Sequence, residues 1–154
     1  MILTNFLVGL LVMLVCLAIQ AFVTFWCVRY FVRRIRQVKP KPEGYLRAGI
    51  QPLLVTMVAM MLGTFVQVGI WGVLFVVLGE FSELYEAVYH SAVNFASLGY
   101  GDIVMSKNRK LLGPLEAING VLMLGMSAAA LTVILQQLVK LQYGEDLQAA
   151  DDEG

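Results

Sequence analysis

The residues best suited to chemistry are Ser97-Leu98-Gly99-Tyr100-Gly101-Asp102. Glycine stands at alternate positions, 99 and 101. For the carbonyls of successive residues to point the same way, the backbone must leave the β and right-handed regions, and glycine does this at little steric cost. Such a row of carbonyls is a ligand set for a cation, because its oxygens replace those of the water the ion sheds. Ser97 would add a hydroxyl, while Leu98 and Tyr100 would point away from the ion and pack behind the backbone. The same residues would also make a Gly-rich turn between two helices. The setting favours the ligand reading: the run follows a short amphipathic segment and lies between two long apolar stretches.

Those stretches dominate the chain. Of its 154 residues 59% are hydrophobic and 14% charged, with a mean hydropathy of +0.77. Ordinary soluble domains carry about a quarter charged residues. Met1 to Val28, Ala48 to Gly79 and Ala117 to Val139 contain no Asp, Glu, Lys or Arg. Each exceeds the roughly 20 residues that cross a bilayer core. Three transmembrane helices follow. The first lacks a basic start and a small-residue cleavage site, so it reads as a retained helix and not a signal peptide.

The zero net charge gives no sign of a nucleic-acid partner, but the distribution of charge is informative. Arg29, Arg33, Arg34, Arg36, Lys39, Lys41 and Arg47 lie between the first two apolar stretches. Basic residues beside transmembrane helices stay on the cytoplasmic side. The N-terminus is therefore expected outside, the second helix running outward, Glu80 to Leu112 external, and the C-terminus cytoplasmic. Lys107, Arg109 and Lys110 run mildly against this orientation and are outnumbered. Cys16 and Cys27 form neither a disulfide framework nor a zinc site.

The first helix is expected from Ile2 to about Val32, with Gln20 and Thr24 one turn apart on a protein-facing side. The link that follows contains Pro40, Pro42 and Gly44 and breaks the helix. The second helix is expected from Gln51-Pro52, with the proline in its first turn, to about Leu78. Trp71 would anchor it near the outer interface. Ser82 to Ala96 reads as a short helix with Ser82 as N-cap and Glu83 and Glu86 in the first turn. It is too short to span a membrane, so it is a re-entrant element packed in protein or lining water. Pro114 opens the third helix. Gly113, Gly120, Gly125, Ser127 and Ala128 to Ala130 give that helix a small-residue face for close packing. The tail from Glu145 is acidic and reads as flexible.

In this order of elements the run 97–102 resembles the selectivity filter of the potassium-channel superfamily, usually T-V-G-Y-G-D. The resemblance covers about Gln51 to Val139. Ser97 takes the place of the filter threonine and Leu98 that of the valine, while Gly99, Tyr100, Gly101 and Asp102 match. Val93 stands where some bacterial members have a glutamate that pairs with the filter aspartate, so Asp102 needs another partner, Tyr89 or His90. Gly125 lies where the inner helix of these channels often has its hinge glycine. An additional N-terminal helix precedes this pore module. It is not a voltage sensor, because its arginines cluster at one helix end and not at regular spacing within the membrane.

The resemblance implies an all-α membrane protein with three transmembrane helices, one re-entrant pore helix and a filter per subunit. One pore loop cannot enclose an ion, so four copies around an axis are expected. The implied division is a peripheral helix (1–36), a basic cytoplasmic linker (37–49), the pore module (50–140) and an acidic cytoplasmic tail (141–154). The implied function is passive potassium-selective conduction, with Ser97, Leu98, Gly99 and Tyr100 as ion ligands. Gly101, Asp102, Glu116 and His90 would support the filter, and Gly125 would be the gating hinge. Glu116 could instead snorkel to the outer interface. The other readings are a weakly selective monovalent cation channel and a non-conducting membrane interaction protein that keeps the pore fold. No enzyme motif and no cofactor is implied. The partners are other copies of the chain, potassium ions and membrane lipids.

Overall fold

A computed structural model describes residues 2–37 and 45–152, with side chains at 2–37 and 49–140. Among these residues there are four helices and no strand: α1 (Ile2–Gln37), α2 (Tyr45–Val77), α3 (Leu84–Phe95) and α4 (Leu112–Asp152). Three of them are long and apolar enough to cross a membrane: Ile2–Gln37, Gly49–Val77 and Leu112–Lys140. A helix satisfies every backbone polar group internally, as a segment in hydrocarbon must. The protein is thus all-helical and membrane-embedded.

Three helix boundaries differ from those expected. α1 continues past Val32 to Gln37. α2 begins at Tyr45, so Pro52 lies inside it and not in its first turn. The missing N–H removes one helical bond without ending the helix, and Thr56 Oγ1 donates to the Pro52 carbonyl at 2.9 Å. α4 runs on through the acidic segment to Asp152 instead of stopping near Val139. Nothing between Lys140 and Asp152 is a proline, and the one glycine, Gly144, weakens a helix without breaking it. Of the link expected over 37–49, residues 45–49 are helical, while residues 38–44, like residues 153–154, lie outside the described residues.

The chain forms two compact units, one from the residues up to Ala21 with Leu62–Met126, the other from Phe22–Met61 with the residues from Ser127 on. The first holds α3 and the run 97–102. Its core is built around Trp71, Phe75, Phe81, Phe95, Leu112 and Met123, with Cys16 of α1 against them. Trp71 is fully buried, with its ring 5.9 Å from that of Phe75. It is a core residue and not the interfacial anchor expected from its position. Gln20 is also fully buried and accepts a hydrogen bond from Gln67 Nε2 at 2.9 Å, which ties α1 to α2. The second unit packs Phe31 and Ile35 of α1 against Ile134 and Leu138 of α4. Cys27, Met60 and Ala130 form a smaller cluster there.

α2 ends in a Schellman motif. The Glu80 N–H donates to Phe75 O at 3.0 Å, the Gly79 N–H to Val76 O at 2.9 Å, and Gly79 has φ +74°. That turn reverses the chain towards α3. The N-cap of α3 is Glu83 and not Ser82, and no side chain caps it.

Candidate functional site

α3 is seated by close backbone approaches that only glycine permits. A Cβ at Gly72 of α2 would fall 3.1 Å from Val88 Cα and 3.2 Å from Val88 N. A Cβ at Gly120 of α4 would collide with the Phe95 carbonyl oxygen and lie 2.8 Å from its carbon. Phe95 is the last residue of α3, so Gly120 fixes where the short helix delivers the chain. By contrast, a Cβ at Gly125 would meet nothing within 4 Å. Both glycines were visible in the sequence, but their spacing gave no sign of which one met backbone.

Polar contacts complete the seat. The Ser91 hydroxyl lies 2.8 Å from the Val68 carbonyl and within hydrogen-bond distance of Glu116 Oε1, and its single proton serves one of them at a time. Both Ser91 and Glu116 are fully buried. Glu116 therefore faces the back of α3 and does not snorkel to an interface. His90 is also buried, with the rings of Phe81 and Phe75 at 5.1 and 5.7 Å. Its Nδ1 is 3.0 Å from the Ile103 carbonyl, and its Nε2 is 2.8 Å from Asn94 Nδ2. One tautomer satisfies both contacts: Nδ1–H donates to Ile103, and Nε2 accepts from the Asn94 amide. Burial pushes the His90 pKa below its ordinary value, against the opposing pull of the Ile103 hydrogen bond and the Asp102 charge.

The chain then enters the run 97–102 through a second Schellman motif. The Leu98 N–H donates to Val93 O at 2.9 Å and the Ser97 N–H to Asn94 O at 2.8 Å. Ser97 thus occupies the left-handed position that usually holds glycine, at φ +57°. Gly99 follows at +58° and Gly101 at +74°. Left-handed backbone recurs at every second residue. A Cβ at Gly99 or Gly101 would meet no neighbour within 4 Å, so the demand for glycine there is conformational and not steric crowding.

Asp102 is held by Tyr89, whose hydroxyl donates to Oδ2 at 2.7 Å. That bond lowers the Asp102 pKa and raises that of Tyr89. Beyond it, Glu80 accepts from the Ser106 N–H at 2.7 Å and the Ser106 hydroxyl at 2.8 Å, with Arg109 Nε 3.7 Å away. Arg109 also donates to the Leu78 carbonyl. These contacts fasten the return from the run to the end of α2, and sequence spacing did not indicate them.

Leu98 and Tyr100 are 56% and 65% exposed in the single chain. The buried face of α3 ends at Phe95, and among the described residues none reaches beyond it to cover them. His90, Tyr89, Asn94 and Glu116 converge on the segment from α3 to Ile103, while Gly125 lies apart from it among open space.

Comparison with known proteins adds one finding. Residues 63–137, from the middle of α2 to near the end of the α4 span, match the family described as "Ion channel". No curated protein and no solved structure matches the chain.

Proposed function

We propose, from the match of residues 63–137 to an ion channel family, that the chain forms a passive, potassium-selective channel through a tetrameric Ser97-Leu98-Gly99-Tyr100-Gly101 filter. The observation that carries the reading is the left-handed backbone at 97, 99 and 101 immediately after a short buried helix. Alternating handedness turns successive carbonyls to one side, where they replace the hydration shell of a potassium ion. Ser97, Leu98, Gly99 and Tyr100 supply the ligands, and the Ser97 hydroxyl adds one at the inner end. The carbonyl end of α3 favours a cation in the cavity beneath.

The exposed Leu98 and Tyr100 support four copies around an axis. Large apolar side chains beside a filter are uncovered in one chain and would be packed by neighbours. Glu116, Ser91, His90 and the Tyr89–Asp102 bond hold the filter from behind. Gly125 is the proposed hinge of the inner gate: it is free of packing constraints, and glycine weakens a helix locally. The basic residues after α1 support an N-terminus outside and a C-terminus in the cytoplasm. Cysteine labelling at positions 41 and 107, in a background lacking Cys16 and Cys27, tests this. Reagent access to 41 from outside and to 107 from inside would reverse the orientation.

The deciding experiment is cation flux from liposomes containing the purified protein. Potassium efflux with little sodium efflux is expected. Equal fluxes would make it a weakly selective cation channel. No flux from a correctly assembled oligomer would leave a non-conducting membrane interaction protein.

A further inference from the structure

The second unit carries a feature that conduction does not use. Between α1 and α4 lies a groove of about 310 Å³, lined mainly by Val28, Phe31, Val32, Ile35, Val133 and Ile134. Arg36 and Gln137 are the polar groups on its wall. An adjoining groove of about 380 Å³ shares Val28 and Val32 and adds Arg29 and Arg33. An apolar trough thus runs into a set of guanidinium groups.

Among the described side chains the charge around it is one-sided. The described side chains of this unit include Arg29, Arg33, Arg34, Arg36 and Lys140 and no Asp or Glu. All four arginines are exposed, and none has a carboxylate partner among the described residues. One helical turn before Arg33, the Tyr30 ring stacks on Trp26 with centroids 5.6 Å apart and planes 10° apart, and Trp26 is 48% exposed. Exposed Trp and Tyr on a spanning helix mark the headgroup level. The arginines therefore sit where lipid phosphates lie, with the trough extending from them along apolar surface.

We propose that the α1–α4 groove binds an anionic phospholipid of the leaflet at the basic end of α1, with an acyl chain against Val28, Val32 and Val133 and the phosphate on Arg33 and Arg36. A trough without charge would suit any acyl chain, and charge without a trough would attract any anionic surface. Together they select one anionic lipid held in place. A second copy of the same face is disfavoured by like charge. The inference is independent of whether the pore conducts.

The test reconstitutes the full chain in vesicles of equal parts phosphatidylcholine and phosphatidylglycerol, re-extracts it in mild detergent, and identifies retained lipid by native mass spectrometry. Preferential retention of phosphatidylglycerol is expected. Arg33→Gln should lower it about fivefold, and Arg33→Gln with Arg36→Gln about thirtyfold, from the usual contribution of a basic residue near anionic lipid. Arg34→Gln, at a residue lining neither groove, should change it little. Val133→Trp fills the trough from a half-exposed position and should displace the lipid while assembly size stays constant. Equal retention of the two lipids, an Arg34 loss as large as that of Arg33, or undiminished retention in Val133→Trp would each overturn the site.

Discussion

α3 and the run that follows it are stabilised in opposite ways. α3 is gripped by its own chain: Ala87, His90, Ser91, Val93 and Phe95 are buried, and Gly72 and Gly120 admit its backbone against α2 and α4. The run from Ser97 to Asp102 is exposed along its length, and its shape rests on three left-handed residues, the two Schellman bonds from Ser97 and Leu98 back to α3, and the side-chain bond from Tyr89 to Asp102. A single chain thus completes the support and leaves the supported segment open. In the proposed tetramer the open side faces the axis and the neighbouring copies. Substitutions in α3's seat should act on folding, while substitutions in the run should act on conduction.

The largest effect is expected at Gly120. Gly120→Ala places a methyl group against the Phe95 carbonyl, and backbone cannot yield as a side chain can. A loss of about 3 kcal/mol or more is expected, seen as failure to assemble or a greatly lowered melting temperature in detergent. Normal assembly in this variant would show that α3 has room to shift.

Gly99→Ala and Gly101→Ala should separate the two regions most cleanly. Neither added methyl meets an atom, so the folding cost is the left-handed penalty of about 1–2 kcal/mol. Potassium flux should nevertheless disappear, because carbonyl direction depends on that backbone. Selective flux through either variant, with normal expression, would remove the run from the conduction path.

Glu116→Ala should be intermediate. It leaves a buried space beside Ser91 and should cost about 1–3 kcal/mol. Glu116→Gln keeps the shape and should cost clearly less. Equal melting temperatures for the alanine variant and the parent would mean that Glu116 does not hold α3.

The smallest effect concerns pH. Because burial lowers the His90 pKa in the folded protein, the unfolded chain binds the proton more readily in the window below the ordinary value of 6.5. His90 therefore contributes full stability above that value, and the contribution falls away as the pH drops towards the depressed folded pKa. The melting temperature should fall between about pH 7 and about pH 5, and His90→Gln should flatten that part of the profile. An unchanged slope in the variant would place the pH dependence elsewhere.

Much of this organisation was legible in the sequence. Charge-free stretches marked the spanning helices because hydrocarbon excludes ionised groups at any position. Gly99 and Gly101 marked two left-handed residues because glycine carries that conformation as a residue type. Ser97 marked none. Serine is an unusual left-handed residue, and it adopts that conformation here because the end of α3 closes over it in a Schellman motif. Tertiary contact also decided which glycine of α4 meets backbone and why Trp71 is buried. The start of α2 differs from the expected one for a local reason. Proline suggests a first turn, yet α2 carries Pro52 within it.

The proposed filter requires that the carbonyls from Ser97 to Tyr100 hold dehydrated cations. Its most direct test is an experimental structure of the assembled protein in rubidium, with anomalous scattering used to locate the ions. A file of rubidium peaks on a four-fold axis, ringed by the carbonyl oxygens of Ser97, Leu98, Gly99 and Tyr100, is expected. An assembled protein whose carbonyls at these positions turn away from the axis, with no rubidium between them, would contradict it.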